Sequence, residues 1–393
     1  MQASSDKWPG SIALMVAHCA GMIDLVALPV WVGALISEYR FEPQRAGGLV
    51  TLFLLGAVLS CLFFAPRFSR LNARFAAFAG FALAALAFLG AAFVTNFAPL
   101  ASLHALAGAS AACALSFTHG TIAHSARPHR LFAAVNLALG VFAIVFLGAT
   151  PNLIAAFGGR ALFFVFAGVM AAASLVSAIS FPTSTSRKDE DFVAEVSHIS
   201  PAVWFGVAAI SCMALNQAMM FSFLERIGIE RGFGREAVTG VLIALGFVNL
   251  LPAPLAAFLE TRVSSRAVLL GGPVIQALIV LTITLGSGFA SYAGAAVFLP
   301  AVMIFTHTFA FGVLARLDRS ARALAGTPAM LMTGAAIGPI LGGTLVQTFG
   351  YPSLGVAAVV TSICAVGLFA KVHAPARPPV PAPEAAMPAR STR

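Results

Sequence analysis

The sequence predicts an all-α integral membrane fold: twelve transmembrane helices in two pseudo-symmetric halves of six. Three observations carry that prediction. Of the 393 residues, 60% are hydrophobic and 9% charged, with a mean hydropathy of +0.94; a soluble domain carries about a quarter charged residues. The apolar residues gather into twelve runs, each near the roughly 20 residues that a spanning helix needs. The two halves of the chain also repeat one another at a fixed spacing.

Taken in order, the first six runs cover 11–37, 45–65, 75–95, 99–123, 131–155 and 160–181. The second six cover 202–225, 237–259, 267–288, 291–315, 323–347 and 353–371. Between the sets lies the long polar stretch PTSTSRKDEDFVAEVSHIS at 182–200. The chain therefore divides into an N-terminal bundle (1–181), a linker loop (182–200) and a C-terminal bundle (201–372). The proline-rich, weakly apolar tail at 373–393 is expected to be disordered. No small-residue cleavage site follows the first apolar core, so the first segment reads as a retained anchor.

At an offset of 192 residues, Ser69-Arg70-Leu71-Asn72-Ala73-Arg74 matches Thr261-Arg262-Val263-Ser264-Ser265-Arg266. The same offset pairs Phe117 with Phe309, Gly120 with Gly312, Arg127 with Arg319, Glu38 with Glu230, and Asp24 with Asn216. One shift without gaps across both halves marks an internal duplication. Parallel halves related about the membrane normal, with a site between them, are a known transporter plan.

The formal charge of +9 does not indicate a nucleic-acid partner. Its lysines and arginines sit in short loops between apolar runs, as topology determinants do, and form no basic stripe interleaved with aromatics. With both termini cytoplasmic, 17 of the 23 Lys and Arg residues fall on the inner side; the outer loops hold Arg40, Arg45, Arg160, Arg226, Arg231 and Arg235. That distribution predicts a multi-pass protein of a bacterial-type inner membrane. Five scattered cysteines (Cys19, Cys61, Cys113, Cys212, Cys364) in apolar runs give neither a disulfide framework nor a zinc spacing.

Several segments resemble the major facilitator superfamily, most closely its drug-efflux and arabinose-efflux-permease-like branch. Pro43-Gln44-Arg45-Ala46-Gly47-Gly48-Leu49-Val50-Thr51 resembles the start of that branch's second helix. Phe157-Gly158-Gly159-Arg160-Ala161-Leu162-Phe163 is similar to its FGWRxxF turn into the sixth. Gly334-Ala335-Ala336-Ile337-Gly338-Pro339-Ile340-Leu341-Gly342-Gly343 resembles the GxxxGPxxGG pattern that antiporters carry on helix five, but lies here on helix eleven. Its glycines read first as packing residues that let helices approach, with Pro339 as a bend. The resemblance implies a cavity lined by segments one, four, seven and ten, and two halves that rock around it.

Departures matter as well. The acidic residue usual before the first arginine of DRxGRR is Ser69 here, and Thr261 in the second half. Arg70, Arg74, Arg262 and Arg266 remain, and their expected role is topology more than gating. The family's RxxxG on helix four reads His104-Ala105-Leu106-Ala107-Gly108, so a group that titrates near neutral pH replaces a permanent charge.

Of the fourteen acidic residues, Asp24 alone falls deep inside a predicted segment. Intramembrane charges are expensive and mark substrate or proton pathways. A carboxyl that loads and releases a proton is the simplest coupling device, so Asp24 is the first candidate, with His104 beside it. Asn216 and Gln217 form an amide pair at the depth of Asp24, and neighbours on a helix point about 100° apart, so at most one faces the cavity. Asn216, Gln217, His307 and His119 are the candidate substrate contacts. His18 reads as a packing residue, and Asn136 and Gln276 as bonds between helices. The spacing of His119, His124 and His129 rotates each by ~140° on a helix, so no metal site is expected.

No phosphate loop, nucleophile elbow or paired carboxylate is present, which argues against ATP-driven transport and hydrolysis. The expected function is secondary active transport, without a cofactor, by a monomer whose partners are a small molecule, protons and membrane lipid. Proton-coupled export of an amphiphilic compound is the first expectation; proton-linked uptake of a small organic acid is the alternative.

Overall fold

The computed structural model describes residues 8–182, 200–317 and 327–372, and within them every regular element is helical. The first span is α1 (Trp8–Gly21) continued by α2 (Ile23–Ser37). The first half is completed by α3 (Pro43–Phe64), α4 (Ala73–Ala91), α5 (Phe97–Ala123), α6 (Pro128–Phe157) and α7 (Arg160–Ser180). The second half opens with α8 (Pro201–Glu230), then α9 (Arg235–Val248) with α10 (Pro252–Leu259), and α11 (Ser265–Leu285). It closes with α12 (Phe289–Ala296) and α13 (Leu299–Leu317), α14 (Thr327–Phe349) and α15 (Pro352–Ala370). Among the described residues, twelve helices are long and apolar enough to cross a membrane, counting each broken helix once. All but the ends of the linker, and the whole tail expected to be disordered, lie outside the described residues.

Three spans are broken, each for a local reason. At Met22 the backbone leaves helical geometry (φ −106°, ψ 21°), so Asp24 stands in the first turn of α2. Pro252 and Pro300 lie just after the breaks in the eighth and tenth spans; proline has no N–H to continue a helix and restrains the residue before it. The seventh helix runs five residues past its expected end at 225, reaching Glu230. Arg226 and Glu230, one turn apart, form an ion pair along that extension.

The duplication is visible in the backbone. Gly158 and Gly350, 192 residues apart, both have φ 77°, and each turns the chain into the last span of its half. Such a positive φ is open to glycine at little cost.

Inside each half, small residues let helices meet backbone to backbone, as membrane bundles require. A Cβ on Gly108 of α5 would fall on the carbonyl of Phe53 in α3. Gly334, Gly338 and Gly342 line one stripe of α14 against Ser211, Leu215, Met219 and Phe223 of α8. The glycine-rich motif of the eleventh span is therefore a packing surface. Aromatic rings fill the first half: Trp31 packs on Phe53, Phe88 and Phe166 at centroid distances of 5.1, 5.9 and 4.7 Å.

The halves meet along α2–α8, α3–α14 and α6–α9. The face where α1 begins and α15 ends is called the terminal face below, and its opposite the far face. At the far face, Gln347 Nε2 donates to the Glu42 carboxylate (3.0 Å) and the Gln44 amide donates to Gln347 Oε1 (3.2 Å). Deeper, the Ile340 amide donates to Thr51 Oγ1 (3.2 Å). Gly47 and Gly343 lie against the backbones of Pro339 and Pro43. The third contact, Gly148 on Ile243 and Gly246 on Ile144, is near mid-membrane. Among the described residues no comparable packing joins α5 to α13 near the terminal face. These contacts close the molecule at the far face.

Gly108→Ala should lower the thermal unfolding midpoint in detergent by the equivalent of ~1–3 kcal/mol, the usual cost of overpacking. Gly168→Ala, with nothing within 4 Å of the added Cβ, should leave it unchanged. Equal midpoints would show that the α3–α5 contact is not close-packed.

Candidate functional site

The polar residues within the spans divide into those whose bonds are complete and those with an open atom. His104, expected beside Asp24 as a titratable partner, belongs to the first group. It is fully buried, with Nδ1 2.7 Å from the Leu100 carbonyl and Nε2 accepting from Trp31 Nε1 at 3.3 Å. Phe163 stands edge-on to its ring at 5.6 Å. Both ring nitrogens are occupied inside an aromatic cluster, so His104 presents no free ring nitrogen in this arrangement.

Asn216 is bound through one end of its amide only, since its Oδ1 is buried without a partner. It is fully buried and its amide donates to the Ala358 carbonyl and Ser362 Oγ, both at 3.1 Å. That ties α8 to α15. Gln276 bonds the Met213 carbonyl at 3.2 Å, joining α11 to α8 as expected, whereas Asn136 bonds Phe132 of its own helix.

Two of the four loop arginines make contacts within the fold. Arg74 donates through Nε and Nη2 to the carbonyls of Phe181 and Ile179, capping the C-terminus of α7. Arg262 covers the Phe258 ring at 4.3 Å, and Arg70 and Arg266 are exposed. These placements fit a topological role.

His119 does not stand alone. Its Nε2 lies 3.0 Å from His18 Nδ1, joining α5 to α1, with Phe132 of α6 edge-on at 5.7 Å. His18 is buried and its Nε2 has no partner. The sequence offered no signal for this pair, because the histidines are 101 residues apart and meet only through packing.

Open atoms also remain on residues nearer the crossing of the two halves. Asp24 is 2% exposed, its carboxyl lies against the amides of Asp24 and Leu25 at the start of α2, and Oδ1 has no partner. Cys61 of α3, whose thiol bonds the Ala112 carbonyl of α5, lies within electrostatic reach of it. The positive end of α2 favours an anion there. Gln217 Oε1 and His307 Nδ1 are buried and unpartnered, and the His307 ring packs on Phe311 at 4.9 Å. Both sit in the second half on α8 and α13.

Sequence reasoning missed Glu225. By placing the end of the seventh helix at 225, it left this residue at a boundary and Asp24 as the lone internal acid. In the structure Oε2 of Glu225 is buried without a partner on α8, and a Cβ on Gly33 of α2 would collide with that carboxyl. Arg226 and Arg235 are its nearest cations, and Tyr292, whose hydroxyl donates to the Leu224 carbonyl at 2.9 Å, stands close by. Gly33 is the residue 192 positions earlier, so the carboxyl meets its own repeat mate where the halves touch. The repeat itself was the signal. Asn249, at the break between α9 and α10, was also overlooked; its Oδ1 is buried and open.

Comparisons with known proteins agree with this architecture. The profile of the Major Facilitator Superfamily matches residues 13–317. No curated protein matches the chain in sequence. Among solved structures, an aspartate-to-alanine mutant of the nucleoside transporter NupG is similar with a TM-score of 0.73 at 12% identity, covering 92% of this chain and 98% of its own. Wild-type NupG follows with 0.70 at 13% identity and the same coverage. A bacterial homolog of the human lysosomal transporter Spinster, described as inward-facing and unoccupied, gives 0.64 at 14%, covering 92% and 94%. At these identities the likeness is one of fold.

His104→Gln should lower the unfolding midpoint and leave the pH dependence of solute movement unaltered, since the imidazole is enclosed and bonded at both nitrogens. A displaced pH profile in the variant would return His104 to the coupling machinery.

Proposed function

Because the chain belongs to the major facilitator superfamily, it is a membrane transporter of a small-molecule solute and not an enzyme, and we propose that it is proton-coupled and exports an amphiphilic organic compound. The observation that carries the coupling is the pair of buried carboxyls, Asp24 and Glu225, each with an oxygen lacking a partner. They occupy the first spans of the two halves, whose α2 and α8 touch. A buried unpaired charge is costly, and acids persist in membrane spans where they handle protons or solute.

The excess of Lys and Arg on the terminal face makes that face cytoplasmic by the positive-inside rule. On this reading the described state opens to the cytoplasm. Solute enters between the halves past Gln217 and His307, whose open atoms supply a hydrogen-bond acceptor and an imidazole. Glu225 lies within the far seal, so closing that seal over its carboxyl accompanies proton uptake and opening it accompanies release. Asp24 exchanges its proton through the break between α1 and α2, the one point in the first span where helix continuity is already lost. Rocking about the α6–α9 contact then turns the cavity outward.

Export is favoured by the resemblance of the second- and sixth-helix segments to efflux proteins. The uptake of an organic acid drew on two imidazoles, and His104 is closed off, leaving His307. The likeness to nucleoside transporters supports the architecture without selecting the solute.

In proteoliposomes with an imposed pH gradient, Asp24→Asn and Glu225→Gln should each reduce uphill movement of solute by about 5–150-fold, the span of a typical coupling free energy, while counterflow exchange persists. A variant that keeps gradient-driven accumulation acquits that carboxyl. Cysteines placed at Glu42 and Gln347 in a cysteine-free background should arrest turnover when cross-linked and recover it on reduction. Continued transport in the cross-linked protein would show that the far seal does not open during the cycle.

A further inference from the structure

The FGxR-type turn into the sixth span takes no part in the transport reading, yet it builds a cleft at the far face. Glu38, Tyr39, Thr95, Phe157, Gly158, Gly159 and Arg160 line a space of about 320 Å³, within the size range of small-ligand sites. Its walls carry one anion and one cation, Glu38 and Arg160, and no ion pair joins them. The Tyr39 hydroxyl is buried and has no hydrogen-bond partner. Burial pushes that hydroxyl up to about 12, with Glu38 acting in the same direction and Arg160 against it, so it remains a neutral donor.

The duplication provides an internal control. Offset by 192 residues, the second half presents Glu230, Arg231, Phe349, Gly350, Tyr351 and Pro352. There the space is used up by the protein itself. Glu230 pairs with Arg226, Tyr351 lies against both, and Arg231 donates to the carbonyls of Ile283 and Thr284 at the end of α11. The first half lacks each of these: Ala34 replaces Arg226, Gly159 replaces Tyr351 and Tyr39 replaces Arg231. At Gly159 even a Cβ would stand 2.6 Å from Glu38 Cβ and 2.9 Å from the Tyr39 ring. One copy of the turn is filled from within and the other is left open with its charges unmatched.

We propose that this cleft binds a zwitterion carrying a primary ammonium and a phosphate, a phosphoethanolamine group, with the ammonium on Glu38 and the phosphate on Arg160. The positive end of α7, which begins at Arg160, adds to the attraction for the phosphate. Phe157, 75% exposed on the rim, offers an apolar surface beside the polar group. The group is supplied either by a membrane lipid headgroup or by the free solute, and both satisfy the same residues.

The test uses the purified full chain in a neutral detergent, following the thermal unfolding midpoint. The probes are phosphoethanolamine, a short-chain phosphatidylethanolamine, and the matching phosphatidylcholine, whose trimethylammonium cannot donate a hydrogen bond to Glu38. The expected result is a rise of several degrees with an ethanolamine probe over the choline control, lost in Glu38→Gln and in Arg160→Gln. Both side chains are exposed, so the variants should fold. A rise with the lipid alone identifies a headgroup, and a rise with phosphoethanolamine as well identifies a free zwitterion. Equal response to the choline lipid, no response to either ethanolamine probe, or a response retained in both variants would overturn the assignment.

Discussion

Helices α3 and α14 approach so closely that the backbone of Pro339 takes the place a Cβ of Gly47 would occupy, while Gly343 does the same against Pro43. This contact between main chains fixes the side on which the two halves are joined. In a bilayer no hydrophobic gain accompanies helix association, so packing and hydrogen bonds must supply the attraction. Glycine lets both act at once: dispersion along the crossing, and hydrogen bonds from Ile340 to Thr51 and from Gln347 to Glu42 at its end. A seal built of close-packed backbone is either formed or parted. It has little room to yield by degrees, because interiors packed to this density deform poorly.

Once that seal is in place, the polar residues can be separated by what they have left to bond. Asn216, Gln276, Arg74 and Arg231 spend their donors on backbone carbonyls of neighbouring helices, and His104 is held between Leu100 and Trp31. Each lowers the cost of a buried polar group by giving its donor an acceptor, although Asn216 Oδ1 and Gln276 Oε1 stay open. Asp24, Glu225, Gln217 and His307 retain an open atom. An unsatisfied group in a membrane interior persists against a penalty that is steepest for a carboxyl, which is why Asp24 and Glu225 carry the functional reading.

The duplication contributes both symmetry and its breaking. Where the halves touch on the axis, Glu225 faces Gly33, the same position of the ancestral repeat now holding a carboxyl on one side and empty space on the other. Neither residue makes sense alone: a side chain at Gly33 would displace the carboxyl. The far-face turns diverge in a comparable way, with Tyr351 closing one copy and Gly159 leaving the other open. In both places function is read from the difference between mates.

The sequence by itself determined the twelve spans and the six-plus-six division, because the cost of exposing polar groups to lipid forces long apolar runs whatever the packing. It also marked Asp24, since one acid within such a run is conspicuous without any knowledge of neighbours. Only the tertiary structure decided what the other polar residues do. His104 and Asn216 carry the same chemistry whether they face a cavity or a neighbouring helix, and that choice depends on helix rotation, which hydropathy does not encode. Glu225 was hidden at a helix end, where the apolar signal fades before the helix does. The seal, the His18–His119 contact and the unfilled cleft arise between segments far apart in the chain, so their existence depends on how helices cross.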